Sequence, residues 1–297
     1  MTAFYNQSVS ILNEAFIKQY AQNFINLRNI CYKAYLNIMK NKHLGHMRKF
    51  IFILAYKFLK KVSYFLGISS SFSSDGEDYA LNKLLSGIKG GRYIDIGSNH
   101  PIKHSNTFSF YLLGWSGVCI DPIPHFNNKY KIFRSGDVFI NAGIIGKVEG
   151  NVMMDFFYYK NYPDNSTFDV SRVEELKNYF NRHPTSITSI PMITFMEVMT
   201  RFNYDPGYKG DIHLLNLDTE GYELNILDSI FDLKVNPWVI CVEDLGYSAE
   251  TVISSDIHNF LHQRNYILIT RTFLSSIYVR KDIIGSLPSP YIKELKL

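Results

Sequence analysis

Acidic residues at the ends of apolar runs are the first features of this 297-residue chain able to do chemistry. Parallel sheets open their ligand sites where strands end. In Tyr93-Ile94-Asp95-Ile96-Gly97-Ser98-Asn99, an apolar run breaks into a tight turn. Gly97 would let the backbone approach a ligand, Asp95 can meet an ammonium group, and Asn99 offers both a donor and an acceptor. A dinucleotide fingerprint needs two further glycines so that a pyrophosphate can rest on a helix N-terminus. Asn99 and a non-glycine after Pro101 stand there instead, so the turn suits a cofactor without phosphates. Asp121 ends the next apolar run, where an acid can reach both hydroxyls of a ribose. Its competing reading is a solvated loop acid ahead of Pro122.

Further acids close two later runs, Leu214-Leu215-Asn216-Leu217-Asp218-Thr219-Glu220-Gly221-Tyr222-Glu223 and Val239-Ile240-Cys241-Val242-Glu243-Asp244. Adjacent strand ends would aim these carboxylates at one crevice, where like charges repel unless protonated or joined by a cation. Asp218, Glu243 and Asp244 supply hard oxygen ligands suited to Mg²⁺. The competing reading has Glu220 and Glu223 capping a helix near Gly221, and Glu243 paired with a buried basic group. Asp218 or Glu220 would serve as a general base. His100, His104 and His125 are lesser candidates, and His100 before Pro101 is expected to shape the turn.

These residues need a sheet to hold them. Short apolar runs at Arg92 to Ile96, Gly117 to Ile120, Asp137 to Ile140, Ile212 to Leu217 and Trp238 to Val242 alternate with helix-like segments, the pattern of a parallel sheet with crossover helices. Tyr266 to Thr270 and Ser276 to Arg280 lie too close for a crossover and predict an antiparallel hairpin. A Rossmann-like α/β sheet, mostly parallel and ending in such a hairpin, is similar to the class I methyltransferase fold. Between Gly150 and Asp211 the chain exceeds one crossover, and its Tyr158 to Phe168 piece is expected to form a substrate-facing lid.

The chain divides on this reading into residues 1–74, an N-terminal helical extension ending in a Ser-rich linker from Gly67 to Gly76, and residues 75–297, the sheet domain. Residues 13–66 read as helical. Arg48, Lys49, Lys57, Lys60 and Lys61 concentrate much of the positive charge of a chain with net charge +4. With the aromatics of Phe50 to Leu66 they suit either a helix in a membrane interface, through residues 48–66, or one packed on a protein. The lysines argue against a span, and the first 30 residues lack a signal-peptide pattern. An apolar share of 46% excludes disorder. Cys31, Cys119 and Cys241 imply no framework of bridges, which fits a reducing cytoplasm.

Taken together, Tyr93 to Pro101, Ser105-Asn106-Thr107, Gly114-Trp115-Ser116-Gly117, Leu217 to Glu223 and Val242-Glu243 resemble the FkbM family of methyltransferases, over roughly Gly76 to Arg280. The resemblance implies O-methylation from S-adenosylmethionine, often of sugars in glycans or glycosylated small molecules, and no nucleic-acid partner. It carries Asp95, Gly97, Ser98, Asn99, Ser105 and Asn106 over as cofactor-side residues and Asp121 as the ribose acid, where many relatives have Glu. Asn141 and Ala142 correspond to adenine-side positions. The set Asp218, Glu243 and Asp244 is similar to that of metal-dependent sugar and catechol O-methyltransferases. The rival expectations are a non-catalytic scaffold tethered through its basic helix and an NAD-linked sugar enzyme, the latter opposed by the missing glycines.

Overall fold

A computed structural model describes residues 71–146, 152–202, 211–290 and 292. The helix expected over residues 13–66 and the basic, aromatic stretch at 48–66 lie outside the described residues. The described end of the Ser-rich stretch is anchored: Ser71 Oγ and the Phe72 N–H donate to the Asp78 carboxylate at 2.6 and 2.9 Å. The Phe72 ring meets Phe108 edge-on at 4.9 Å.

Asp78 belongs to helix α1 (Glu77–Leu84), which precedes strand β1 (Arg92–Ile96). There follow α2 (Phe108–Leu112), β2 (Ser116–Ile120), α3 (Phe126–Phe133), β3 (Val138–Ile140) and β4 (Gly143–Ile145). Then come β5 (Val152–Tyr158), α4 (Val170–Phe180), β6 (Ser186–Thr194) and α5 (Phe195–Phe202). The C-terminal part holds β7 (Leu214–Leu217), α6 (Glu223–Asp232), β8 (Val239–Glu243), α7 (Asp256–Gln263), β9 (Tyr266–Arg271) and β10 (Ser275–Arg280).

Seven strands form one sheet in the order β3-β2-β1-β7-β8-β10-β9. β1 pairs in parallel with β2 and β7, and β8 in parallel with β7, whereas β10 runs antiparallel to both β8 and β9. The hairpin expected at the end of the chain is therefore present, with β10 inserted between β8 and β9. Strand ends differ from the sequence reading by a residue or two. The chain winds outward from β1 in one direction and restarts beside it with β7, so the crevice at their carboxyl ends is a topological switch point.

The strands β1, β7 and β8 are buried along their whole length, as a sheet covered on both faces requires. On one face Ile94, Ile96, Leu215, Leu217, Ile240 and Val242 pack with Val198 of α5, Ile226 and Ile230 of α6 and Leu261 of α7. The other face, which carries Tyr93 and Asp95, is buried with Phe108, Tyr111, Tyr130 and Arg134. Between β3 and β7, strands β4, β6 and β5 form a second, three-stranded sheet, and the Tyr158 to Phe168 piece expected as a lid leads from β5 towards α4. The Tyr158 to Phe168 return is pinned by mutual backbone hydrogen bonds between Phe157 and Thr167 at 2.9 and 3.2 Å. Among the described residues no helix is long and apolar enough to cross a membrane.

Candidate active site

The turn after β1 is locked to its neighbours by backbone. Gly97 and Ser98 N–H groups donate to the Ile120 carbonyl at 2.9 and 3.0 Å, and the Asp218 N–H donates to the Ile96 carbonyl at 3.0 Å. Gly97 adopts φ +75°, and a Cβ there would stand 1.6 Å from the Asp218 carbonyl oxygen. The crossing of two strand ends thus demands a glycine here, a structural reason beside the close backbone approach that the sequence suggested. Beyond it, Asn99 takes the left-handed conformation at φ 46° and donates its N–H to Asp121 Oδ2 at 2.8 Å. The Ile123 N–H donates to Asp121 Oδ1 at 2.8 Å. Burial outweighs these two donors and pushes the Asp121 carboxyl up to about 7.

Asp95 does not reach the cleft as an ammonium partner. Thr107 Oγ1 donates to its Oδ2, Asn216 Nδ2 donates to its Oδ1 at 2.9 Å, and Arg134 Nη1 stands 4.0 Å away. Arg134 is fully buried; its Nε donates to Asp137 at 2.6 Å and its Nη2 to the Tyr93 hydroxyl at 2.8 Å. The other expected cofactor residues around this turn join the same support. Ser105 Oγ accepts from the Phe108 N–H and Arg134, Asn106 donates to Asn216, and Asn141 donates to the Asp121 carbonyl at 2.9 Å. Ser98 is buried, and its carbonyl accepts from the Tyr130 hydroxyl. Sequence reasoning missed Arg134 and Asp137; the available signal was an Arg three residues ahead of an Asp just before β3.

Gly97, Asn99, Asp121, Ala142, Asp218 and Glu220 do line one cleft, of about 820 Å³ including its mouth. Ile96, Ile123, Ile144, Phe156 and Phe168 give it apolar walls. The lid segment adds Pro163, Asp164 and Ser166.

At one end of the cleft, carboxylate oxygens of Asp218, Glu220 and Glu243 lie within 4.8 Å of one another. Glu220 enters this group through a left-handed residue at φ 55° followed by Gly221 at φ 118°, where Asp169 leaves little room for a Cβ. Arg172 of α4 pairs with Glu220 at 3.2 Å, and Thr167 Oγ1 donates to the Glu220 carbonyl at 3.0 Å. Glu223, the first residue of α6, accepts from the Thr219 and Gly221 N–H groups at 2.7 and 3.0 Å, so it ties down the preceding turn rather than capping the helix as expected. Glu243 Oε2 is buried and has no hydrogen-bond partner among the described residues, so the expected pairing with a basic group is not made. Burial, then the neighbouring acids, hold the Asp218 and Glu243 carboxyls well above the ordinary range; Glu220, offset by Arg172, rises to about 7.

The expected metal set is corrected at one position. Asp244 accepts from Ser255 Oγ at 2.7 Å, away from the cluster, because successive strand residues point to opposite faces. Glu220 takes its place.

The family model of the methyltransferase FkbM domain matches residues 95–268, more than half of the chain. The chain belongs to the FkbM methyltransferase family. Membership brings methyltransferase activity and S-adenosylmethionine as methyl donor. A search of curated proteins gave no match. Among solved structures, the chain resembles a putative rRNA methylase from Clostridium thermocellum at 11% identity, covering 71% of this chain and 98% of that one, with a TM-score of 0.34.

In this FkbM methyltransferase the histidines stand aside from the acid cluster. His100 Nδ1 accepts from the Ile102 and Lys103 N–H groups at 3.2 Å, and burial with nearby lysines lowers its pKa to about 4. The two hydrogen bonds place His100 in the shaping of the turn, the part its position before Pro101 suggested. His104 Nδ1 pairs with Ser74 Oγ at 2.7 Å, and His125 packs beside Phe126.

Proposed function

We propose that this chain methylates a hydroxyl of a sugar or glycan in the cleft at the carboxyl ends of β1, β7 and β8, with S-adenosylmethionine over the β1 turn. The observation that carries the reading is the convergence of Asp218, Glu220 and Glu243 beside a cleft with apolar walls at Ile96, Ile123, Ile144, Phe156 and Phe168. Carboxylates accept hydrogen bonds from hydroxyls, and a polyhydroxylated acceptor offers several. The donor supplies an electrophilic methyl on a sulfonium. The protein must align the acceptor oxygen and take its proton. Asp218 serves as the base, because it lies at the junction of β1 and β7 and faces both the turn and the other two acids. Burial and the neighbouring acids raise its pKa, which makes the ionised carboxylate a stronger proton acceptor. Asp121 holds the ribose, and Ala142 lies on the adenine side.

The acid cluster also supports a divalent cation. Glu243 Oε2, buried without a partner, fits a missing positive ligand, and carboxylate oxygens are the donors Mg²⁺ takes. Asp218, Glu220 and Glu243 would hold it, and it would acidify the acceptor hydroxyl.

The test is methyl transfer from labelled donor to a panel of mono- and oligosaccharides, with RNA and protein as comparison acceptors. Sugar methylation is expected, and Asp218→Asn should lower turnover by at least about 100-fold while sparing donor affinity. Near-normal turnover in that variant removes Asp218 from the chemistry. Full activity after metal stripping in excess chelator rules out the cation. The scaffold alternative requires that wild-type protein bind neither the donor nor its demethylated product.

A further inference from the structure

The cleft is lined by four carboxylates, Asp121, Asp164, Asp218 and Glu220, and by no Lys or Arg among the described residues. Three of these belong to the large sheet and its loops, and each is already engaged. Asp121 accepts two backbone N–H groups, Glu220 pairs with Arg172, and Asp218 is buried against Glu220 and Glu243. Asp164 differs in origin and setting. It sits on a 3₁₀ turn, Pro163–Asn165, in the segment between β5 and α4, and it is exposed.

The turn is braced from behind. Arg182 Nη1 donates to Asn165 Oδ1 at 2.6 Å while its guanidinium stacks over Tyr162 at 4.1 Å, and the Tyr159 N–H donates to Ser166 Oγ at 3.1 Å. In front, Asp164 Oδ1 accepts from Asn99 Nδ2 at 2.5 Å. A carboxylate from the inserted segment is thereby tied to the β1 turn across the mouth of the cleft. Its charge reaches Asp121 on one side and Asp218 and Glu220 on the other, where it opposes ionisation at each.

A carboxylate at the mouth of a cleft that no Lys or Arg lines among the described residues favours a positive occupant. S-adenosylmethionine carries a sulfonium, an ammonium and a carboxylate, for a net charge of +1; after methyl transfer the sulfonium is a neutral thioether and the net charge is zero. We infer that Asp164 reads this difference: it is a specificity residue that strengthens binding of the sulfonium donor over the demethylated product and so favours product release. Standing at the solvent edge, it attracts a cation without first being stripped of its water. The inference rests on the reading that the donor occupies this cleft.

Calorimetric titration of the full chain with S-adenosylmethionine and with S-adenosylhomocysteine tests it. Asp164→Asn keeps an oxygen for Asn99 and removes only the charge. The donor is expected to weaken roughly tenfold and the product by no more than roughly twofold, so that the preference ratio falls. In wild type, the same ratio should shrink as salt rises. Equal weakening of both ligands, an unchanged donor affinity in the variant, or a salt-independent ratio in wild type overturns the role of Asp164 alone. Failure of the wild-type protein to bind either ligand overturns the donor-site reading with it.

Discussion

Asp121 illustrates how a residue's setting changes what its type implies. A carboxylate at a strand end is expected to be ionised and ready for a ribose, yet burial raises Asp121 to about 7 in the ligand-free protein. The raised folded-state pKa means that the protonated form stabilises the fold. That contribution is fully present below the unfolded value near 4 and is lost as pH rises through about 7. Wild type should therefore lose about 2 kcal/mol relative to Asp121→Asn between about pH 5 and pH 8, read from paired denaturation curves. Ribose hydroxyls prefer the ionised acceptor, so donor affinity should increase over the same range in wild type and stay flat in the variant. A parallel pH response in the two proteins would separate Asp121 from both effects.

At the scale of elements, the site depends on a polar layer beneath β1. Arg134, at the end of α3, satisfies Asp137 and Tyr93 directly and stands near Asp95, with all of these groups out of water. Removing one partner of a buried ion pair leaves the other charge uncompensated, which costs about 3–5 kcal/mol. Arg134→Ala should lower the urea-unfolding free energy by that amount and disorder the β1 turn; a loss under about 1 kcal/mol would show that the layer is dispensable. Asp95 was legible as an important acid because it interrupts an apolar run. That it faces this layer was not, because Thr107, Arg134 and Asn216 reach it from three separate parts of the chain. The inserted segment was legible only in part: the Tyr, Asn, Pro and Asp content of Tyr158 to Phe168 read as a substrate-facing lid, whereas the pairing of β5 with the distant β6 depends on contacts that no local pattern shows.

For the whole molecule, a Rossmann-like sheet with its acids at the switch point organises the described residues, and the N-terminal basic and aromatic stretch adds a separable question. If residues 48–66 hold the protein at an anionic surface, full-length chain should float with anionic liposomes and a chain beginning at Asp75 should not. Equal flotation would assign that stretch to protein contacts. Neither outcome bears on the acid cluster of the cleft, whose members Asp218, Glu220 and Glu243 lie far along the chain from that stretch.

By itself the sequence determined the strand order's ingredients: apolar runs at crossover spacing, a terminal pair too close for a crossover, and acids at three strand ends. These are local patterns of period, length and turn chemistry, so they survive without knowledge of the fold. Only the tertiary structure decided which acids meet. It turned Asp244 away and brought Glu220 in through a left-handed residue, gave Gly97 a structural reason in the Asp218 carbonyl, and carried Asp164 from an inserted segment to Asn99 and Arg172 to Glu220. Such placements depend on strand faces and on packing between distant segments, and no spacing along the chain encodes them.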